Sequence, residues 1–303
     1  MITVTGVTGK LGRLVVEDLL TRVPAADLAA VARTPEKAAD LGIDVRQGDY
    51  DDPASLRAAF AGTDVLLLVS SPDVTPGVRP RQHGNAINAA VEAGVGRIVY
   101  TSALHAQDGP SFLADHGVTE NLLRDSGVPH TLLRNTFYEE VLVNPGLREA
   151  VANGELRAAD NGVPVNFATL RDLALAASAV LTADGQEGVT YELRGPLWTV
   201  ADLAATVAEV AGSPVAYRAV DADTLGGSAF VYNFIASGLF SEPADDLEKL
   251  LGRPATSLRE AVVTALAGLS LRAARAARAA RASGSCRSGS WGAPRRAPRT
   301  WDA

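Results

Sequence analysis

The residues Gly6-Val7-Thr8-Gly9-Lys10-Leu11-Gly12 carry the first chemistry in the chain. Three glycines at this spacing, between an apolar run and a helical pattern, build a turn that receives a pyrophosphate. Gly6 permits the tight turn, Gly9 leaves no Cβ in the path of the phosphates, and Gly12 lets the helix pack close to the strand. Backbone N–H groups and the positive helix end favour the anion, and Thr8 adds a hydroxyl donor. Chance turns produce the same glycine pattern, but the strand–turn–helix setting points to a dinucleotide.

Further positions extend this site. At the end of the second apolar run, an NAD site usually holds an acid for the ribose 2′-hydroxyl. Here Arg33 stands in that place, with Lys37 one turn later. A guanidinium suits a 2′-phosphate and leaves a plain ribose without its acceptor, which favours NADPH over NADH. The alternative is a solvated surface arginine. Asp49-Tyr50 borders the adenine or, in the case of Asp49, caps the helix that begins at Pro53. Ser70, Ser71 and Pro72 follow the fourth apolar run, where ligands sit in open α/β sheets, and either face the cofactor ribose or only form a turn.

A short-chain carbonyl reductase normally protonates its product from a Tyr-x-x-x-Lys pair. The chain's three lysines, Lys10, Lys37 and Lys249, never stand four residues after a tyrosine. The corresponding stretch is Asp115-His116-Gly117-Val118-Thr119-Glu120, which puts His116 and Glu120 on one helical face. His116 there either donates to a substrate oxygen or belongs to a helix-start cluster. His83, His105 and His130 read as structural. Without the pair, an acceptor needing little acid help is favoured. A quinone fits, because hydride addition yields an aromatic, stabilised hydroquinone anion, and alignment supplies most of the catalysis. Asn135-Thr136-Phe137-Tyr138 reaches the same edge, where its aromatics flank a flat ring or simply pack.

The elements that must hold these residues alternate. Strands are expected at Ile2–Thr5, Leu28–Ala32, Asp44–Gln47, Val65–Val69, Arg97–Thr101 and His130–Arg134, with helices at Leu11–Thr21, Pro53–Phe60, Gln82–Ala93 and Val118–Ser126. This rhythm predicts an α/β fold with a doubly wound parallel Rossmann sheet over residues 1–150. Residues 151–269 read as a smaller substrate-side lobe. It has strands at Val163–Phe167, Val189–Leu193 and Val215–Arg218, and part of 163–193 is expected to return to the main sheet. Helices are expected at Arg171–Leu181, Val200–Ala211, 221–238, 244–251 and 257–269.

Five segments in order resemble one family. They are Gly6 to Gly12, Val31-Ala32-Arg33-Thr34-Pro35-Glu36-Lys37, Leu66-Leu67-Leu68-Val69-Ser70-Ser71, Tyr100-Thr101-Ser102-Ala103-Leu104-His105-Ala106 and Leu132-Leu133-Arg134-Asn135-Thr136-Phe137-Tyr138-Glu139. From residue 1 to about 268 the chain is similar to the type 2 NAD(P)H:quinone oxidoreductases, in the NmrA-like group of atypical short-chain dehydrogenases. The resemblance implies a Rossmann domain with a small C-terminal lobe, NADPH preference and two-electron reduction of quinones. It puts cofactor contacts on Gly6, Val7, Thr8, Gly9, Lys10 and Leu11, on Arg33, on Ser70–Pro72, and on Thr136, Phe137, Tyr138, Glu139, Glu140 and Val141. The quinone is expected beside Tyr138 and His116, the two catalytic candidates. The chain departs from the family at Thr136, where a glycine is usual, at Phe137, where a tryptophan is usual, and at Asn121, where lysine is common. The stretch before His116 is one residue shorter. The NmrA branch offers an alternative, a redox-sensing regulator that binds NAD(P) without turnover.

Composition bounds the rest. The 303 residues are 47% hydrophobic and 21% charged, a globular balance. The net charge of −7 combines a body, 1–269, at −14 with a tail, 270–303, at +7. The acidic body disfavours nucleic acid as a partner. The tail's Arg-Ala repeats and its Ser, Gly and Pro fit an appended disordered segment or a reading-frame change, with a functional basic arm as the alternative. Cys286 is the chain's one cysteine and the four histidines show no metal spacing, so no metal is expected. No apolar run approaches the ~20 residues of a membrane span. Met1-Ile2-Thr3-Val4-Thr5 enters a strand pattern at once instead of a signal peptide, so the cytoplasm is the expected compartment. Oligomeric state carries no sequence signal.

Overall fold

Leu66-Leu67-Leu68 shows how the layers form. Leu66 and Leu68 pack on one side with Ile98, Tyr100 and Leu132, while Leu67 packs on the other with Val99 and Leu133. Strands buried on both faces carry apolar residues without alternation, as parallel strands between helices do. The computed structural model describes residues 1–109 and 111–267. Among them, β1 (Ile2–Thr5), β2 (Leu28–Ala32), β3 (Asp44–Gln47), β4 (Val65–Leu68), β5 (Arg97–Ala103) and β6 (His130–Asn135) form a parallel sheet. β7 (Glu155–Ala158) pairs instead with β9 (Ala216–Ala219), and β8 (Thr190–Leu193) completes the main sheet beside β6. The spatial order is β3-β2-β1-β4-β5-β6-β8.

α1 (Lys10–Leu19) covers one face of this sheet, α2 (Pro53–Ala59), α3 (Val78–Glu92) and α4 (Ser111–Ser126) the other. α5 (Leu147–Asn153) belongs to the second lobe, and α6 (Leu170–Thr182) lies against α1 on the main sheet. Residues 170–193 therefore rejoin the Rossmann layers after an excursion. α7 (Val200–Ala211), α8 (Ala229–Ala236) and α10 (Leu258–Leu266) enclose a core with Phe167, Trp198 and Phe240. α9 (Asp246–Leu251) sends Leu247 into the main core. The chain crosses from β3's side of β1 to β4's side, which creates the switch point at which ligands enter such sheets.

The lobe differs from the sequence expectation in places. Residues 163–167 form a connection, not a strand, with a single bridge between Val165 and Trp198. Its Asn166 N–H donates to the Phe240 carbonyl at 2.8 Å, so its backbone bonds fall on loops and no ladder extends. The helix expected over 221–238 breaks at Gly226 (φ 55°, ψ −129°) into a 3-10 turn, Ala222–Ser228, followed by α8. β7 and α5 have no counterpart among the expected elements, being short and without strong periodicity. α3 and α4 each begin several residues earlier than expected. The expectations for 268–303, including the basic tail and Cys286, lie outside the described residues. No helix among the described residues is long and apolar enough to cross a membrane.

α1 is held against β1 by an absence of atoms. A Cβ on Gly12 would come within 2.6 Å of the Gly6 carbonyl oxygen and 2.9 Å of the Thr5 carbonyl oxygen. Both are backbone atoms that cannot yield cheaply. Gly12→Ala is expected to destabilise the protein by about 1–3 kcal/mol in urea unfolding, as overpacking of a tight contact does.

Candidate functional site

A cleft of about 800 Å³ runs along the carboxyl ends of the strands, across the switch point. The Gly6–Gly12 turn forms its floor. Gly6 adopts φ +65°, and the Gly9 N–H donates to the Gly6 carbonyl at 2.9 Å. α1 then begins at Gly9 with no side-chain cap and no acid in its first turn. Its first N–H groups are thus left for an anion, as a pyrophosphate requires.

One end of the cleft is walled by Arg33, Asp49 and Tyr50. Arg33 is exposed, just beyond β2, and makes no hydrogen bond or ion pair among the described residues. Tyr50 is anchored, with its hydroxyl 2.7 Å from the Val69 carbonyl and 2.6 Å from Thr5 Oγ1. Asp49 does not cap α2. Asp52 does, accepting from the Ala54 and Ser55 N–H groups.

The middle of the wall is Ser70, Ser71 and Pro72, and α3 clasps it. Arg79 Nε donates to the Ser71 carbonyl at 2.9 Å, and the Ser71 hydroxyl donates to Gln82 Oε1 at 2.5 Å. The Ser71 N–H donates to His83 Nε2 at 2.9 Å. Because His83 accepts there, its proton sits on Nδ1, 2.8 Å from Thr119 Oγ1. Burial pushes the His83 pKa down to about 3, so it remains neutral. The Ser70 hydroxyl oxygen is buried and has no hydrogen-bond partner, which suits a wall that meets a polar ligand.

The far end is built by the exit from β6. Tyr138, Glu140 and Val141 line the cleft there with Leu170. Glu140 accepts the Leu170 N–H at 3.0 and 3.2 Å, so it supplies an acid at the start of α6. Burial raises the Tyr138 phenol pKa, and the Glu140 charge adds to this.

Glu120 and His116 are fixed by other partners. The Glu120 carboxylate takes Ser102 Oγ at 2.7 Å, Gln107 Nε2 at 2.7 Å, and a two-pronged contact from Arg134 at 2.9 and 2.8 Å. Burial opposes its ionisation, but these partners outweigh burial and hold the carboxyl below its ordinary range. His116 Nδ1 lies 2.8 Å from the Tyr100 hydroxyl, and burial pushes its pKa down to about 4.

The comparisons with known proteins follow this geometry. A family model described as NAD(P)H-binding matches residues 6–184, from the first glycine of the turn to just beyond α6. The chain belongs to this NAD(P)H-binding family. Quinone oxidoreductase 2 of Escherichia coli (strain K12) is 41% identical over 282 residues, covering 86% of this chain and 97% of that protein. The structure of Citrobacter sp. triphenylmethane reductase complexed with NADP(H) is 39% identical with a TM-score of 0.84, over 88% of this chain and all of that one. The E. coli NADPH-dependent quinone oxidoreductase complexed with NADPH is 38% identical with a TM-score of 0.80, over 87% of this chain and 99% of that one.

Within this family fold, the expected contacts divide. Gly6, Thr8, Gly9, Lys10, Leu11, Gly12, Arg33, Ser70, Ser71, Pro72, Tyr138, Glu140 and Val141 all line the cleft. Four expected contacts do not. Val7 is buried in the core beneath the turn. Thr136 is buried and donates its hydroxyl to Asn166 Oδ1 at 2.7 Å. Phe137 packs against Phe167 and Phe240, with ring centroids 5.5 and 4.9 Å away, and so flanks no ligand ring in the cleft. Glu139 lines an adjoining cavity of about 370 Å³ that shares Lys10 and Glu140 with the cleft. The chain leaves β6 at Asn135 and enters a 3-10 turn at Glu139–Val141, so the side chains of 136–141 turn to different sides. His116, expected beside the quinone, does not line the cleft, and burial pushes its pKa down to about 4. His83, read as structural, is one of three α3 residues that fix the Ser71 wall. Its signal lies in no motif, because α3 and β4 meet only in the fold. His105 takes φ +58° and leaves Nε2 buried and unpartnered, which the sequence also did not signal.

The Glu139 carboxyl is held at about 8, first by burial and then by the charges of Glu140 and Asp172. Its folded pKa exceeds its ordinary value of 4.5, so the folded state keeps a proton that the unfolded state releases. Stability on this account falls as pH rises from 4.5 to about 8. Glu139→Gln removes the titration. Its gain in unfolding free energy over the parent is expected to grow by roughly 1 kcal/mol per pH unit across that window, measured in urea at several pH values.

Proposed function

We propose that the protein is an NADPH-dependent oxidoreductase that reduces quinones by two electrons. The carrying observation is the cleft itself. A free arginine stands beyond β2 at one end, an uncapped helix start lies in the middle, and an aromatic side chain stands at the other end. The likeness to quinone oxidoreductase 2 over 97% of that protein supports the reaction.

The residues fit the cofactor. The α1 N–H groups, with Gly9 bare, receive the pyrophosphate. Arg33 pairs with the 2′-phosphate, for which a bidentate guanidinium is suited. Tyr50 and Asp49 border the adenine end, and the unpartnered Ser70 hydroxyl is available to a ribose. Tyr138 walls the end where the nicotinamide belongs. Bound NADPH supplies the hydride. A ring carbon of the quinone accepts it, a proton then passes from that carbon to an oxygen so that the ring becomes aromatic, and one proton from solvent completes the hydroquinone. The protein's part is alignment and exclusion of water. With the Tyr/Lys pair absent and Glu120 tied to Arg134, Tyr138 is the phenol left at the nicotinamide end of the cleft. His116 acts as a positioning partner of Tyr100.

A second reading is reduction of a triphenylmethane cation, favoured by the TM-score of 0.84 to the Citrobacter enzyme and by the acidic body. The chemistry is the same hydride addition to a conjugated electrophilic carbon.

The test is to mix the protein with NADPH and a simple benzoquinone, and separately with a triphenylmethane dye, and to follow nicotinamide absorbance. Turnover well above the spontaneous rate is expected with the quinone. Tight NADPH binding without turnover of either acceptor would point to a redox-sensing regulator. Arg33→Ala is expected to raise the KM for NADPH by roughly tenfold or more, the loss of one charged hydrogen-bonded contact, with little change for NADH. Equal effects on both cofactors would remove the 2′-phosphate role. The pH profile of kcat is expected to show no imidazole ionisation between about pH 5 and 8. A break near neutral pH that disappears in His116→Ala would restore that residue as the acid.

A further inference from the structure

The cavity beyond the cofactor cleft contains an acid that the fold does not use. Glu139 is 2% exposed. Its backbone is fully employed, with its N–H donating to the Ala168 carbonyl at 2.8 Å and its carbonyl accepting from Leu142 and Val143. Its carboxyl has neither a hydrogen bond nor an ion pair among the described residues. Its two acidic neighbours are different. Glu140 takes the Leu170 N–H, and Asp172 takes Arg253 and the Thr256 N–H, each at 2.6 Å. Glu139 therefore bears a desolvation cost with no internal partner to offset it.

The surroundings define what would offset that cost. The cavity has an apolar side from Val143, Ala261 and Ala265, and polar groups from Asn144, Thr169 and Thr264. Lys10 and Arg171 also line it, but neither forms an ion pair with Glu139. The charges that act on Glu139 are those of Glu140 and Asp172, and both are negative. An acid unpaired by any cation, lining a half-open cavity beside an apolar wall, matches an ammonium head on a short apolar body. We propose that this cavity is a binding site for a small organic amine, with Glu139 as the partner of its ammonium group.

The residues facing Glu139 set the pH behaviour. Glu140 from its own turn and Asp172 from α6 favour a bound cation. Arg253 offsets part of Asp172's charge, and Lys10 and Arg171 oppose the cation from the lining. Amine binding ionises Glu139 and so releases a proton near neutral pH. Lys10 and Glu140 line both this cavity and the cofactor cleft, so the two adjoin, but no step of hydride transfer enters this one.

The experiment is isothermal titration calorimetry on the full chain with benzylamine, and with benzyl alcohol and benzoate as neutral and anionic isosteres. Benzylamine is expected to bind at least roughly tenfold more tightly than either, about 1.4 kcal/mol. Its apparent heat is expected to change with the ionisation enthalpy of the buffer, because a proton leaves Glu139. Glu139→Gln, which keeps shape and removes charge, is expected to weaken benzylamine at least tenfold and abolish the buffer dependence. Ala265→Phe, which fills the apolar side while leaving Glu139 in place, is expected to weaken it too. The proposal is overturned if benzylamine does not bind, if benzyl alcohol or benzoate binds as tightly, or if either variant leaves benzylamine affinity unchanged.

Discussion

The contact of α1 with the end of β1 is the constraint on which the site depends. The helix can start this close to the Thr5 and Gly6 carbonyls because Gly12 brings no side chain. That approach aims the uncapped N–H groups of α1 at the switch point, and it fixes where an anion must sit. Every other wall of the cleft is arranged around this anion position. Arg33 leaves the neighbouring strand on one side, Ser70 and Ser71 leave the strand on the other, and Tyr138 comes from two strands further on.

A second layer holds the walls in place. The Ser71 wall is gripped through its carbonyl, its hydroxyl and its N–H by three residues of α3. Gln82 then passes the grip to Asp51, whose carboxyl is held below its ordinary range first by Gln82 and next by Arg81. Beneath lie two neutral histidines on either side of the Tyr100 hydroxyl. Burial keeps both imidazoles uncharged, so this layer orders the cleft without adding positive charge to it.

The same layer explains what kind of catalysis the chain can offer. At the helix positions where a short-chain reductase would hold its tyrosine and lysine, this chain has a neutral imidazole and a carboxylate locked to Arg134. A group held in four hydrogen bonds is a brace between α4, β5 and β6, not a proton donor. An acceptor whose reduced form is already stabilised matches such a site.

The sequence by itself determined the local parts. The glycine turn, Arg33 beyond the second strand, the order of the first six strands and the missing Tyr/Lys pair are all readable, because each rests on backbone geometry or chemistry within a few residues. The pattern also predicts that part of 163–193 returns to the main sheet, where Thr190–Leu193 lies, whereas it does not predict the break of the 221–238 helix at Gly226. Only the tertiary structure decided which of the consecutive residues 136–141 line the cleft. Tyr138, Glu140 and Val141 do; Phe137 joins the aromatic core, and Glu139 turns to a second cavity. It also decided that His83 grips Ser71 and that Arg134 locks Glu120. These outcomes join residues 12 and 14 positions apart through different elements, and local sequence carries no record of which side chain meets which across a packed interface.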